Sequence, residues 1–253
     1  MQKWEQFEID CTNYLQENYK DMIFEHNGGS NSTTSDIKVN NEYYIEVKHT
    51  PAQCCQFVLF PENNYFYYSQ DNKNPLNQYS AKIIDYMNQK YEYYSDKNKK
   101  AKPIIYDNCQ ADFFGCIKEF YAHKNVKYFI TNDFLIVPID NIQDVFEVSA
   151  VYRVKKSGSK NPNKSIILEL SKYIAEKCLI TAVEYDGKHL IVDTNVDINK
   201  QILTYNGNNF MFSIKNGRYI VRQLSNTSNS NVIFSLKLLK NKNIPKNLWK
   251  IFK

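Results

Sequence analysis

The chain has 253 residues, a formal net charge of +5 and 43% hydrophobic residues, with 20 Tyr and 15 Phe. That length holds one large domain or two small ones with a real core. No apolar run approaches the length of a bilayer span, and the start, Met-Gln-Lys-Trp-Glu-Gln-Phe-Glu, lacks the apolar stretch of a signal peptide, so a cytoplasmic protein with no membrane contact is expected.

In chain order, residues 3–18 carry Trp4, Phe7, Cys11, Tyr14 and Leu15 at helical spacing, with Glu8 beside Phe7 near the middle of the stripe. Residues 22–26 read as a short strand ending at Asn27-Gly28-Gly29, where glycines permit close backbone approach. A hydroxyl-rich loop leads through Ser35 into Asp36, and its hydroxyls and amides suit contact with a phosphate. Residues 36–40 and 42–48 are β-type runs joined by Asn40-Asn41, which predicts a hairpin. Alternation puts Glu46 and Lys48 on one face and Val47 on the other, and Asp36 comes round to the same end of the sheet. Two carboxylates and one amine then converge. Hard divalent cations bind through one or two carboxylates plus substrate phosphate, and such a metal acidifies water.

At Asp36 and, after nine intervening residues, Glu46-Val47-Lys48, the chain resembles the PD-(D/E)xK nuclease superfamily, with Ser35 where the motif's name has proline. The resemblance runs to about residue 140. It implies that Asp36 and Glu46, with the carbonyl of Val47, hold Mg²⁺, and that Lys48 positions and activates the attacking water. A structural ion pair with Glu46 is the other role open to Lys48. The helix before the hairpin often supplies a further acid in this superfamily. Glu8 matches that place, and Glu5 competes with it. In several branches a glutamine just after the Glu-x-Lys strand assists the site or the DNA. Gln53 and Gln56 stand there, with plain surface glutamines as the alternative.

Downstream, Thr50-Pro51 ends the strand, and residues 52–60 suggest a helical turn running into an apolar segment. Helices are predicted over 76–95 and 111–122, separated by a charged linker at 96–102, followed by strands at 126–130 and 134–139. The sum is an α/β fold, a mixed sheet with helices on its faces. The resemblance makes residues 1–144 a restriction-endonuclease-like catalytic core. After Asp144 come a strand at 145–154, a loop bearing Lys155, Lys156, Ser157, Ser159 and Lys160, a helix at 165–178 and six further strands punctuated by Asx-Gly turns. Residues 145–253 therefore form a β-rich α+β region.

Charge separates these halves. Residues 1–144 hold 14 Lys/Arg against 20 Asp/Glu, and residues 145–253 hold 18 against 7. A basic region behind a phosphodiester-cleaving motif points to nucleic acid. The amine- and hydroxyl-rich loop suits phosphate contacts. Arg153, Arg218 and Arg222, among few arginines, carry the forked donors that read guanine. The layout looks like a type II restriction endonuclease, a Mg²⁺-dependent cutter of specific double-stranded DNA sites. A structure-selective or repair nuclease, a silent nucleic-acid-binding protein and a nucleotide-regulated defence nuclease are the alternatives. Cutting two strands with one catalytic set per chain leads to an expected homodimer, with the aromatic-rich 57–95 region as contact or as core. The six cysteines lack metal-site spacing and read as free thiols.

Overall fold

The computed structural model describes residues 3–28, 35–96, 101–156 and 158–239, the side chains of Lys155 and Lys156 excepted. Most of the hydroxyl-rich loop, Ser157 and the two lysine side chains thus lie outside the described residues.

The chain divides into two compact units, Met1–Arg153 with Ser230–Lys253, and Val154–Asn229. The division expected at residue 144 moves for a physical reason. The last strand, Ser228–Leu238, alternates Val232, Phe234 and Leu236 inward and pairs with Ala52–Glu62, so it completes the first unit. Charge follows the new boundary: residues 154–229 hold 11 Lys/Arg against 6 Asp/Glu, and six lysines of the basic half lie beyond residue 230.

The first unit opens with α1 (Lys3–Asn18). Then come strands β1 (Phe24–His26), β2 (Ile37–Val39), β3 (Tyr43–Lys48), β4 (Ala52–Glu62) and β5 (Tyr65–Tyr68). Helices α2 (Gln78–Gln89) and α3 (Tyr91–Ser95), strand β6 (Ala101–Pro103) and helix α4 (Cys109–Ala122) follow. Strands β7 (Val126–Thr131) and β8 (Leu135–Pro138), helix α5 (Ile142–Val145) and strand β9 (Phe146–Lys156) lead to the second unit.

One sheet has the order β1-β2-β3-β7-β8, with β3 and β7 parallel and the other neighbours antiparallel. Asn40 and Asn41 both have positive φ (48° and 61°), and Glu42 N–H donates to the Val39 carbonyl at 2.8 Å. The strands pair Val39 with Tyr43, so the loop is residues 40–42, closed by that bond, and the hairpin forms at the predicted place. α1 packs Cys11 and Leu15 against Phe24, Ile37, Val39, Ile45 and Val47. Its buried stripe is Glu8, Cys11, Thr12 and Leu15, which leaves the predicted anchor Trp4 exposed.

A second sheet of this unit has the order β5-β4-β16-β9-β6, where β16 is Ser228–Leu238. Its inner face packs Phe57, Phe234, Val148 and Tyr152 against α2 and α4 residues such as Ile83, Met87, Phe113 and Ile117. β4 corrects the helical turn expected at 52–60. Ala52–Glu62 is a strand because its apolar residues find an inner face at Cys55, Phe57 and Leu59. The β4–β5 turn repeats the Asn-Asn device at Asn63 and Asn64 (φ 49° and 61°).

In the second unit, β10 (Ser159–Lys160) and α6 (Ile167–Lys177) precede β11 (Ala182–Tyr185), β12 (Leu190–Asp193), β13 (Ile202–Tyr205), β14 (Asn208–Lys215) and β15 (Arg218–Leu224). The sheet order is β11-β12-β15-β14-β13, with β10 pairing to β15. Ile167, Leu170 and Ile174 of α6 cover Leu190, Val192, Phe210, Phe212 and Val221. Among the described residues no helix is long and apolar enough to cross a membrane.

Candidate active site

The hairpin builds the site. Ile37 pairs with Ile45, both facing α1, so Glu46 and Lys48 point to the opposite face, toward α4. Asp36 enters one residue before β2. Its carbonyl accepts from Asn27 N–H at 2.8 Å, and its Oδ2 accepts from Val47 N–H at 2.7 Å. The end of β3 is pinned from β7. Thr131 Oγ1 donates to the Lys48 carbonyl at 2.6 Å, and Asn132 Oδ1 accepts from Thr50 N–H at 2.8 Å.

Lys48 Nζ donates to Glu46 Oε1 at 2.7 Å, with both side chains nearly buried (12% and 9% exposed). Burial by itself would lower the Lys48 ammonium's pKa. The Glu46 and Asp36 carboxylates outweigh it and hold the pKa above its ordinary value. Asp36 shows the opposite strain. Burial and then the charge of Glu46 push its carboxyl up to about 7, against the relief offered by Lys48 and the Val47 amide. Among the described residues, two buried side-chain oxygens lack a hydrogen-bond partner, Glu46 Oε2 and Ser35 Oγ. Both belong to this hairpin entry. A buried polar atom of this kind calls for a partner, whether a water, an ion or a substrate group.

Among the described residues no three His, Cys, Asp or Glu side chains cluster as a metal cage. Two carboxylates, one with a buried unpaired oxygen, and the Val47 carbonyl are the donors at hand. That is the sparse oxygen set with which Mg²⁺ keeps several waters.

Glu8 is buried in α1, and its Oε2 lies 3.1 Å from His26 Nε2. Burial raises its carboxyl pKa against the lowering effect of His26, and the charges of Glu46 and Lys48 both reach it. A Cβ on Gly28 would lie 2.2 Å from Glu8 Oε2, so a larger residue there would push this carboxylate aside. The competitor Glu5 sits one turn earlier and is only half-buried.

Gln53 and Gln56 are exposed on the outer face of the second sheet, with Gln53 Nε2 donating to Gln56 Oε1 at 3.3 Å. Strand alternation alone would put residues three apart on opposite faces. The pairing register runs Phe234↔Cys55, then Ser235↔Gln53, so Cys54 is an extra, bulged residue that returns both glutamines to one face. Arg153 is exposed on β9, whose alternate residues Val148, Ala150 and Tyr152 face the core.

Other candidates are used internally. Ser35 is 3% exposed, so its hydroxyl is no surface contact for a polymer. Arg218 grips Asp193 (Nε–Oδ1 3.0 Å, Nη2–Oδ2 2.7 Å) and Glu184 (3.0 Å). Arg222 clamps the 159–161 segment through the Ser159 carbonyl at 2.6 Å and through Asn161. Ser159 and Lys160 are exposed and line a polar depression of about 470 Å³ with Asn208, Gln223, Ser225 and Asn226. The 57–95 aromatics are divided. Phe57, Phe66 and Tyr94 are core, whereas Phe60, Tyr65, Tyr67 and Tyr93 are exposed.

Sequence reasoning passed over His26 and Tyr121. Tyr121 was visible only as part of an apolar helix stripe, yet a buried phenol needs a partner for its hydroxyl. Here that hydroxyl lies 3.2 Å from Glu46 Oε1 and 2.6 Å from the Cys54 carbonyl.

The three-sheet α/β architecture with this hairpin site is restriction-endonuclease-like, and comparison with solved structures agrees. The chain is similar to HhaI endonuclease, solved in complex with DNA, with a TM-score of 0.81 and 36% identity over 96% of this chain and 94% of that one. It therefore belongs to the family of HhaI endonuclease. No protein-family model matches it, nor does any curated protein.

Proposed function

We propose that this protein is a Mg²⁺-dependent, site-specific endonuclease of double-stranded DNA, a type II restriction enzyme with a PD-(D/E)xK site. The observation that carries the reading is the strained trio. Asp36 and Glu46 repel each other in a buried place, Lys48 bridges to one of them, and Glu46 Oε2 is left unpaired. Membership in the HhaI endonuclease family supports it.

Asp36, Glu46 and the Val47 carbonyl would hold the ion. A bound Mg²⁺ supplies acidified water and neutralises charge on the phosphate. The protein supplies orientation. Val47 N–H fixes the Asp36 carboxylate, and Lys48 fixes Glu46 through Oε1, which leaves Oε2 for the ion. The Lys48 ammonium, kept charged by its neighbours, directs a water and stabilises the phosphate as charge builds. Glu8, braced by His26, adds a third carboxyl within electrostatic reach.

Gln53, Gln56 and Arg153 have the side-chain chemistry of base reading, amides for adenine and guanidinium for guanine. Ser159, Lys160 and the neighbouring Lys155, Lys156 and Ser157 suit the phosphate backbone. Arg222 would brace that segment through Ser159 and Asn161, while Arg218 is held by Asp193 and Glu184 at the other end of β15. One set of Asp36, Glu46 and Lys48 cuts one strand. A double-strand break therefore takes a homodimer, as symmetry suggests, or two successive encounters by one chain. Sedimentation of a Glu46→Gln complex with duplex DNA distinguishes the two.

The test is digestion of plasmid DNA with Mg²⁺, followed by sequencing of the ends. Ends at one short sequence are expected. A smear of unrelated ends would mean a nonspecific or structure-selective enzyme, and intact plasmid would refute nuclease activity.

A further inference from the structure

Tyr121 is fully buried at the end of α4, its ring held edge-on by Phe129 at 4.9 Å. It stands between the proposed catalytic pair and β4. Its hydroxyl faces Glu46 Oε1 and the Cys54 carbonyl, and the Lys48 ammonium stands 5.8 Å from its ring centre. A phenol has a single proton to donate. At 2.6 Å the Cys54 carbonyl holds that proton, and Glu46 at 3.2 Å is the second acceptor. Cys54 is the bulged residue of β4, so its carbonyl moves with the bulge that presents Gln53 and Gln56. The thiol of Cys54 is tied as well, donating to the Phe234 carbonyl at 3.4 Å.

We infer that Tyr121 is a positioning residue that couples the Gln53–Gln56 pair to the Glu46 carboxylate, so that what the glutamines contact sets how Glu46 is held for cutting. This rests on the nuclease reading above. The two-state element is one hydroxyl with two acceptors. A displacement of the bulge by a few tenths of an ångström lengthens one hydrogen bond and shortens the other, and such shifts matter over the steep part of the hydrogen-bond potential. If the pair engages a base pair and draws the bulge away from α4, the hydroxyl turns its hydrogen bond to Glu46 Oε1, where it acts beside Lys48 and leaves Oε2 free of it. If a wrong base pair leaves the bulge where it is, Glu46 lacks that support. Bulges recur beside active sites because they re-aim side chains, and this one serves the recognition face and the catalytic strand together.

The experiment compares wild type, Tyr121→Phe, Gln56→Ala and the double variant. Plasmid DNA is digested with Mg²⁺, the ends are sequenced, and single-turnover rates are measured on duplexes bearing the majority sequence or single-base-pair changes. A lost hydrogen bond to a charged group should lower discrimination by about tenfold in Tyr121→Phe, with metal-free DNA binding unchanged within about twofold. In the Gln56→Ala background the same substitution should change discrimination by less than about twofold, since the link is already cut. Additive effects, or a Tyr121→Phe enzyme that discriminates like wild type, overturn the inference alone. Wild-type digests without discrete ends overturn the nuclease reading with it. If Tyr121→Phe melts far below wild type, Gln56→Ala carries the test. Its rate at saturating enzyme falls about tenfold if coupling exists, and an unchanged saturating rate with weaker binding overturns it.

Discussion

Two sets of carboxylates in this chain live in opposite circumstances. In the first unit Asp36 is pushed up to about 7 by burial and by Glu46, and Glu8 is raised by burial. In the second unit Asp186 is drawn down to about 2 by the amides of His189 and Lys188, and Asp193 is lowered by the hydrogen bond from Arg218. The second set is satisfied and exposed, which is what structural surface charge looks like. The first set is crowded and under-solvated, a state that costs stability. Perturbed groups gathered in this way mark functional sites more often than structural ones.

The largest expected effect breaks the comparison at its centre. Glu46→Gln should reduce Mg²⁺-dependent cleavage by on the order of a thousandfold or more, with metal-free DNA binding kept. Lys48→Ala should do the same. Plasmid nicking under single-turnover conditions measures both, and a Glu46→Gln enzyme that cuts at the wild-type rate means the site is elsewhere.

The next effect concerns stability and pH. Folded Asp36 keeps its proton up to about pH 7, whereas the unfolded chain releases it in the ordinary carboxylate range. Folding takes up a proton between those limits, so the contribution of Asp36 is full in acid and is lost as pH rises toward 7. Without metal, Asp36→Asn should therefore melt several degrees above wild type at pH 8, and close to it at pH 4. Calorimetry of both proteins across that range is the measurement. A variant that melts below wild type at pH 8 would show that Asp36 carries no such strain.

Much of this was legible in the residues. The Asn40-Asn41 pair marked the hairpin, because both positions take positive φ, but the register that sets the faces of Glu46 and Lys48 includes Glu42 as a third loop residue, which the dipeptide did not announce. The same dipeptide at Asn63-Asn64 marks the β4–β5 hairpin, and it was passed over while residues 52–60 were read as a helical turn running into an apolar segment. The bulge at Cys54 and the return of β16 into the first unit had no local signal, since both depend on pairing between segments almost two hundred residues apart. The role of Tyr121 was hidden for the same reason. Its helix stripe was plain, but the two acceptors of its hydroxyl come from other strands.

A smaller effect tests the phosphate surface. Duplex binding should weaken with salt by a log–log slope of about −0.9 per phosphate neutralised. Replacing Lys155, Lys156 and Lys160 together by Ala should flatten that slope by up to about three contacts' worth. Filter binding across a salt series gives the slope, and an unchanged value would remove this segment from the interface.

The smallest effect belongs to Arg218, and it sharpens the comparison from the other side. Its guanidinium makes two hydrogen bonds to Asp193 and one to Glu184. Among the described residues of the second unit it is the cation held by two carboxylates. It is nonetheless 43% exposed, against 41% for Asp193 and 57% for Glu184. Water competes for each of these groups, and exposed pairs are worth little for that reason. Arg218→Ala should therefore shift the melting temperature by no more than about two degrees. It should also leave discrimination between base pairs intact, because a fork occupied by two carboxylates is not offered to guanine. Arg153→Ala, on an exposed stretch of β9, should relax discrimination with as little effect on melting. If the two variants behave the other way round, with Arg218→Ala losing discrimination, then DNA displaces Asp193 and Glu184 from Arg218. The satisfied charges of the second unit would then be held in reserve for the substrate.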